Sequence, residues 1–407
     1  MSAGERSGED PRAPAGSPRY RRALIALCCA AIATFAQVYS PQALLPEISA
    51  EFGVSESTSS LAIGATTIGL AIGMLPWGRL SDRIGRVAAL RWAIASAVAV
   101  GLFTPFAPTL ESFLAIRLVE GLLLAGLPAI GVVALAETVT PLALGGAVGA
   151  YIAGNTIGGL AGRLLSTNVG EQFGWHWGLF STALLAAIAA LCFLALMPPT
   201  AVPPGPSLPL FRATLANLRN PGVMVMVAQA LLLMGGFVAV YNYLAFRLQQ
   251  SPFELTLSQV SWLFFAYLAG ALSSRGVWVF AKRVPPAAML LVSIAVMLVG
   301  LGLTLLPSLV AILAGLVVFT VGFFGAHSIA LTLVARRAEP ESRSLAPSLY
   351  YLAYYAGSTV FGWAGGLAFA AAGWGGATAM VAVVCLLAGA LVWWHAARRG
   401  GLRAVDA

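Results

Sequence analysis

Gly78-Arg79-Leu80-Ser81-Asp82-Arg83-Ile84-Gly85-Arg86 lies between two apolar runs, residues 58–77 and 87–107. Each run is about long enough to cross the hydrocarbon layer of a bilayer. The nine residues between them hold one carboxylate and three arginines. A charged turn this short, joining two such runs, belongs in the membrane interface and holds two helix ends together. It reads G-x-L-S-D-R-x-G-R. What that spacing means depends on the rest of the chain.

Of the 407 residues, 59% are apolar and 9% charged, with a mean hydropathy of +0.88. A soluble domain carries about 25% charged residues, so this chain cannot cover a water-facing surface. It is a polytopic membrane protein with the bilayer as its first partner. The net charge of +8 does not point to nucleic acid, because the arginines sit at helix ends and form no basic stripe. Cys28, Cys29, Cys192 and Cys385 all fall inside apolar runs, which predicts free thiols. No metal-ligand spacing, phosphate-binding loop or nucleophile elbow is present. Neither an enzyme nor a nucleotide-driven pump has support, and no metal or cofactor is expected.

Twelve spans are expected: 22–44, 58–78, 87–107, 111–136, 142–166, 177–197, 222–246, 258–280, 286–306, 309–335, 345–369 and 374–395. Residues 1–21 read as a disordered tail, and 396–407 as a second tail. Arginines and Lys282 cluster in the tails and in alternate loops, while Glu47, Glu51, Glu56, Glu111 and Glu171 occupy the opposite loops. The positive-inside rule then puts both termini in the cytoplasm. Glu137, between spans four and five, has no basic residue in its own loop and stands outside this pattern. Six prolines between Pro198 and Pro209 predict that 198–221 is a stiff extended linker and not a helix. It separates one bundle, 22–197, from a second, 222–395.

The two bundles repeat. Ala153-Gly154-Asn155-Thr156-Ile157-Gly158-Gly159-Leu160-Ala161-Gly162-Arg163 returns as Ala356-Gly357-Ser358-Thr359-Val360-Phe361-Gly362-Trp363-Ala364-Gly365-Gly366. Two similar six-span halves related by an axis along the membrane normal are one architecture of secondary transporters, with the substrate held between them near the midplane.

In that setting residues 78–86 resemble the signature loop between the second and third helices of the major facilitator superfamily. The resemblance covers essentially the whole chain and implies an all-α fold of twelve transmembrane helices in two pseudo-symmetric bundles. It also implies that Gly78, Asp82, Arg83, Gly85 and Arg86 lock the cytoplasmic side in one state. The alternative is a basic loop that only sets topology. Arg117 and Glu120 sit three apart and share a helix face. With Gly121 they resemble the superfamily's fourth-helix pattern R-x-x-Q-G, linked to proton coupling, with Glu120 in place of Gln. Gly154-x-x-x-Gly158-Gly159-x-x-Gly162-Arg163 resembles the exporters' fifth-helix motif, with Gly159 in place of Pro and Arg163 in place of Gly. Charges inside a membrane are costly and functional by default. Arg117 and Arg163 are therefore expected to flank Glu120 and tune it, unless Arg117 and Glu120 form a structural pair and Arg163 reaches out to the headgroups.

The resemblance further puts spans one, four, seven and ten, with five and eleven, around the cavity. The candidate lining residues are Gln37, Tyr39, Asn155, Thr156, Tyr241, Asn242, His327, Tyr351, Tyr354 and Tyr355. Tyr350 shares a face with Tyr354, and Tyr351 with Tyr355. For each, helix packing is the competing role. The function expected is proton-coupled efflux of a small organic molecule, drug or metabolite, across a bacterial inner membrane by a monomer. Uptake or exchange by the same fold is the alternative, and a non-transporting receptor is the alternative of another class.

Overall fold

A computed structural model describes residues 11–199, 210–340, 342–343 and 345–398. The first half contains α1 (Pro18–Tyr39), α2 (Glu56–Ile84), α3 (Arg86–Phe106), α4 (Leu110–Thr138), α5 (Pro141–Phe173) and α6 (Trp175–Leu196). The second half contains α7 (Pro221–Gln249), α8 (residues 257–282), α9 (Pro286–Leu303) and α10 (Leu309–Arg337). Ala346–Arg398 is one continuous run, broken at Ala372 and Gly373 into α11 and α12. Gly373 takes φ 55°, a left-handed value that glycine adopts without a steric penalty. α8 alternates between α-helical and 3-10 turns along its length. Nine helices among the described residues are long and apolar enough to cross a membrane. Dividing the long run at Gly373 and adding α5 and α8 gives the twelve expected. Trp92, Leu142, Val279, Val310 and Trp393 point outward, as lipid-facing side chains must.

Local signals set the helix ends. Ser17 accepts from the Tyr20 N–H and Pro18 opens α1. Thr109 and Ser112 form a capping box at the start of α4, as do Thr256 and Gln259 at the start of α8. Gly85, at φ 90°, ends α2 and turns the chain into α3.

The repeat governs how helices pack. A Cβ on Gly162 would fall 2.4 Å from the Ala36 carbonyl oxygen, and one on Gly158 would fall 2.6 Å from the Ile32 Cα. α5 therefore lies backbone to backbone on α1. In the second half a Cβ on Gly357 would fall 2.0 Å from the Leu231 oxygen, so α11 lies on α7 in the same way. One offset, 203 (356 less 153), carries the first pair of helices onto the second, taking Gly162 to Gly365 and Ala36 to Ala239. Small residues that let backbones approach are how membrane helices associate when apolar burial gives no preference.

Three expectations change. The linker is not extended throughout: Leu210–Arg219 is a helix, whose buried Asn217 donates to the Ser342 carbonyl at 3.0 Å. All six prolines precede residue 210, so nothing in 210–219 forbids the helix. Residues 200–209 of the linker lie outside the described residues. The first tail is docked from residue 11 onward. The Ala13 N–H donates to the Thr138 carbonyl at 2.9 Å, and the Thr140 N–H donates to the Ala13 carbonyl at 3.0 Å. The extended turn between α4 and α5 offers unpaired backbone groups, and the tail satisfies them. Finally, Glu137 has its base after all, on another loop: Arg86 Nε lies 3.2 Å from its Oε1.

Candidate functional site

Three charged side chains are fully buried among the described residues: Arg117, Glu120 and Arg163, each 2% exposed or less. Arg117 and Glu120 form an ion pair at 2.9 Å, one turn apart on α4. Arg117 also donates to the carbonyls of Ala62 at 3.1 Å, Gln37 at 3.1 Å and Val38 at 2.8 Å. It thereby ties α1 and α2 to α4. Thr104 Oγ1 donates to Glu120 Oε2 at 3.2 Å. A void of about 10 Å³ adjoins the pair, lined by Gln37, Gly101, Thr104 and Thr182 among others. That is room for about one water. The pair lies inside the first bundle, away from the surface between the halves.

Glu120 Oε1 and Gln37 Oε1 both face Gly101, since a Cβ there would meet them at 3.1 Å and 2.0 Å. Gln37 Nε2 donates to the Ala33 carbonyl at 2.8 Å, which fixes the amide's orientation. Its Oε1 is buried with no donor.

Arg163 is elsewhere. It does not flank Glu120, and it does not reach the headgroups. Its guanidinium carbon stands 4.7 Å from the centre of the Tyr39 ring, 4.8 Å from Phe264 and 4.8 Å from Tyr267. Nε donates to Gln42 Oε1 at 2.8 Å, Nη1 to the Gly159 carbonyl at 2.8 Å and Nη2 to the Tyr267 hydroxyl at 3.2 Å. Tyr39 and Gln42 belong to the first half, Phe264 and Tyr267 to α8 of the second. The close packing of α5 on α1 turns position 163 away from the bundle core and across the boundary.

Gln42 continues the line across that boundary, where its Nε2 donates to Asn242 Oδ1 at 2.8 Å. Other bonds between the halves join Gln249 to Glu47 at 3.2 Å, the Ser258 N–H to Glu171 at 2.8 Å, and Thr67 to Thr359 at 2.9 Å. All lie from the middle of the helices toward the end opposite residues 78–86. Tyr243 adds a bond within the second half, to the Gly362 carbonyl at 2.6 Å.

The remaining candidates divide. Asn242 and Tyr39 stand in this network. Tyr241 points into the second bundle, bonded to Thr320 at 2.8 Å and stacked on Phe264. His327 Nδ1 lies 2.9 Å from the Tyr350 hydroxyl, with the Tyr354 ring 5.1 Å away. Tyr351 and Tyr355 stack at 6.4 Å, and Tyr354 meets Tyr355 edge-on at 5.3 Å. Asn155 and Thr156 are half-buried, and the Thr156 hydroxyl donates to its own helix at Ile152. At the loop, Asp82 pairs with Arg86 at 2.5 Å, while Arg83 is exposed. A Cβ on Gly78 or Gly85 would meet nothing within 4 Å, so neither glycine serves a close approach. Gln42, Thr104, Phe264 and Tyr267 were not singled out from the sequence. Gln42 and Tyr267, polar groups within apolar runs, were its available signals.

The sequence profile of the Major Facilitator Superfamily matches residues 26–257. The chain belongs to that superfamily. The superfamily transporter YybF of Bacillus subtilis, itself uncharacterised, is 33% identical over 92% of this chain and 93% of its own. The inner membrane transport protein YnfM of Escherichia coli is 36% identical over 92% of this chain and 90% of its own. Among solved structures, a bacterial homologue of the human lysosomal transporter Spinster, inward-facing and unoccupied, aligns with a TM-score of 0.75 at 17% identity. That alignment covers 93% of this chain and 97% of the homologue. The protein is a superfamily transporter of the bacterial inner membrane, a multi-pass carrier of small molecules and not an enzyme.

Proposed function

We propose that this transporter exports a small organic molecule by alternating access, driven by the proton gradient, with Glu120 as the proton carrier. The observation that carries the reading is the pairing of two oxygens at Gly101. Gln37 Oε1 lacks a donor, and a proton on Glu120 Oε1 would supply one directly or through one water. Protonation also removes the charge that holds Arg117. Arg117 grips the carbonyls of Gln37 and Val38, immediately before Tyr39 and four to five residues before Gln42. Those two residues close the boundary around Arg163, so the proton site and the boundary share one stretch of chain, the end of α1 and the turn that follows it.

The glycine pattern of α5 supports export, through its likeness to the exporters' motif. The distribution of basic residues supports cytoplasmic termini. Pairing of Asp82 with Arg86 inside the loop supports a lock that is released here and engages when the opposite end opens.

The test is Glu120→Gln in proteoliposomes, with a solute found by thermal-shift screening of the purified protein. Pumping driven by a pH gradient should be lost and solute exchange kept, with a near-native melting curve. A structural pair predicts loss of both with a collapsed melting curve, because breaking a buried ion pair costs about 3–5 kcal/mol. A variant that still pumps removes Glu120 as carrier. A protein that neither pumps nor exchanges any screened solute is a receptor.

A further inference from the structure

The line from Arg163 through Gln42 to Asn242 has a fixed polarity. A guanidinium only donates, so the Gln42 atom it meets must be the oxygen. The other end of that amide is then Nε2, a donor, and the Asn242 atom that it meets must be Oδ1. What is left over is Asn242 Nδ2, which is buried in a residue 1% exposed and has no partner. The relay therefore begins with a cation and ends with an unused N–H donor. Arg163 has no carboxylate within ion-pair distance among the described residues. Glu120, the fully buried acid, is committed to Arg117. The boundary between the halves thus holds one unbalanced positive charge and one spare donor, both deep in the membrane, where such groups are costly. Three aromatic faces occupy the place of the missing anion.

We infer that the transported molecule carries an anionic group, a carboxylate or its chemical like, on a planar apolar body, and that Arg163 and Asn242 receive that group. The inference rests on the transporter reading of the boundary. When the halves part at this end, Phe264 and Tyr267 leave with the second half, and Asn242 is drawn from Gln42. Arg163 then loses two of its three rings and one hydrogen bond, and faces the opened cleft. An anion restores what it loses, and the apolar body takes the place of the departing rings against Tyr39. When the boundary closes again, the two rings and the Tyr267 hydroxyl compete the anion away. Arg163 acts as a clamp that is satisfied by the substrate in one state and by the protein in the other.

The experiment is a thermal-shift series on the purified full-length protein. The probes are benzoate, 1-naphthoate, indole-3-carboxylate and cyclohexanecarboxylate, each beside its amide and its aminomethyl analogue, with sodium chloride titrated separately. The aromatic acids should raise the melting temperature saturably, while the amides and amines should not. Arg163→Gln should weaken acid binding at least tenfold, and Arg163→Lys should weaken it less. Asn242→Asp supplies the missing anion from the protein, so it should raise the resting melting temperature and abolish the response to acids. This variant covers the case in which Arg163→Gln does not fold. Amides that bind as well as acids, acids that bind Arg163→Gln unchanged, chloride that saturates the site alone, or a panel in which no acid binds would each overturn the inference. Binding is read without turnover. Acid-selective binding with no transport would sink the proposed function and leave this site standing, and transport with no acid preference would do the reverse.

Discussion

The halves of the transporter meet along two seams that come from one repeat and are finished in opposite ways. At the α2–α11 seam the backbones nearly touch. A Cβ on Gly366 would fall 2.4 Å from the Ser57 Cα, and the Thr67 and Thr359 hydroxyls bond at 2.9 Å. At the α5–α8 seam a guanidinium fills the space, wrapped by rings from both halves. The repeat offset sets Arg163 on Gly366 and Tyr39 on Asn242. A glycine permits a dry, close hinge, whereas an arginine holds the helices apart and leaves a charge to be satisfied. The difference assigns mechanical closure to one seam and recognition to the other.

The hardest blow to that division is Gly366→Val. Its side chain would collide with the Ser57 backbone, which cannot yield as a flexible side chain can. Overpacking of this kind costs about 1–3 kcal/mol. The melting temperature should fall, and the disulfide yield between Glu47→Cys and Gln249→Cys should fall with it. An unchanged yield would show that the α2–α11 seam does not close this end.

A smaller effect is expected from Thr67→Val, which keeps the shape and removes one hydroxyl at the middle of the seam. Thr359 retains the Gly64 carbonyl at 3.0 Å, so no group is stranded. The cost should be about 0.5–1.5 kcal/mol in a thermal melt, with acid binding at Arg163 unchanged. A change in acid binding would mean that the seams are not separable.

The smallest effect concerns pH at the closed end. Burial holds the Glu47 carboxyl above the ordinary carboxylate range, despite the bond from Gln249. The closed form therefore binds this proton more tightly than a form in which Glu47 is exposed. Stability of closure is full below the ordinary carboxylate range and is lost as pH rises through the raised value. The melting temperature of the wild type relative to Glu47→Gln, measured across that range, should decline gently with rising pH. A rise with pH would reverse the sign and exclude Glu47 as its source.

Much of the architecture was legible because it rests on composition and period. Apolar runs give the twelve spans, and the glycines at 154, 158 and 162 mark α5 as a helix that allows close packing, while its partner, α1, is visible only in the structure. Arg117 and Glu120 were paired correctly, because spacing on one helix fixes their distance. Spacing says nothing about which residue stands opposite across a boundary. Depth alone puts Arg163 beside Glu120, while its real partners, Gln42, Phe264 and Tyr267, come from the turn after α1 and from α8. Glu137 looked unpaired for the same reason, since its base lies on another loop. The linker helix is not legible from composition, because the prolines that make the segment look extended all precede residue 210 and the helix follows them.

The docked tail has a consequence for synthesis. Ala13 bonds to the turn at Thr138–Thr140, which is made 126 residues later (139 less 13). At about 5–20 residues per second, the tail waits about 6–25 s for its partner. During that interval four helices must enter the bilayer while Ala13 stays on the side where the α4–α5 turn will emerge. The latch can close only once that turn has arrived on the same face, so its formation marks correct insertion of the first four helices.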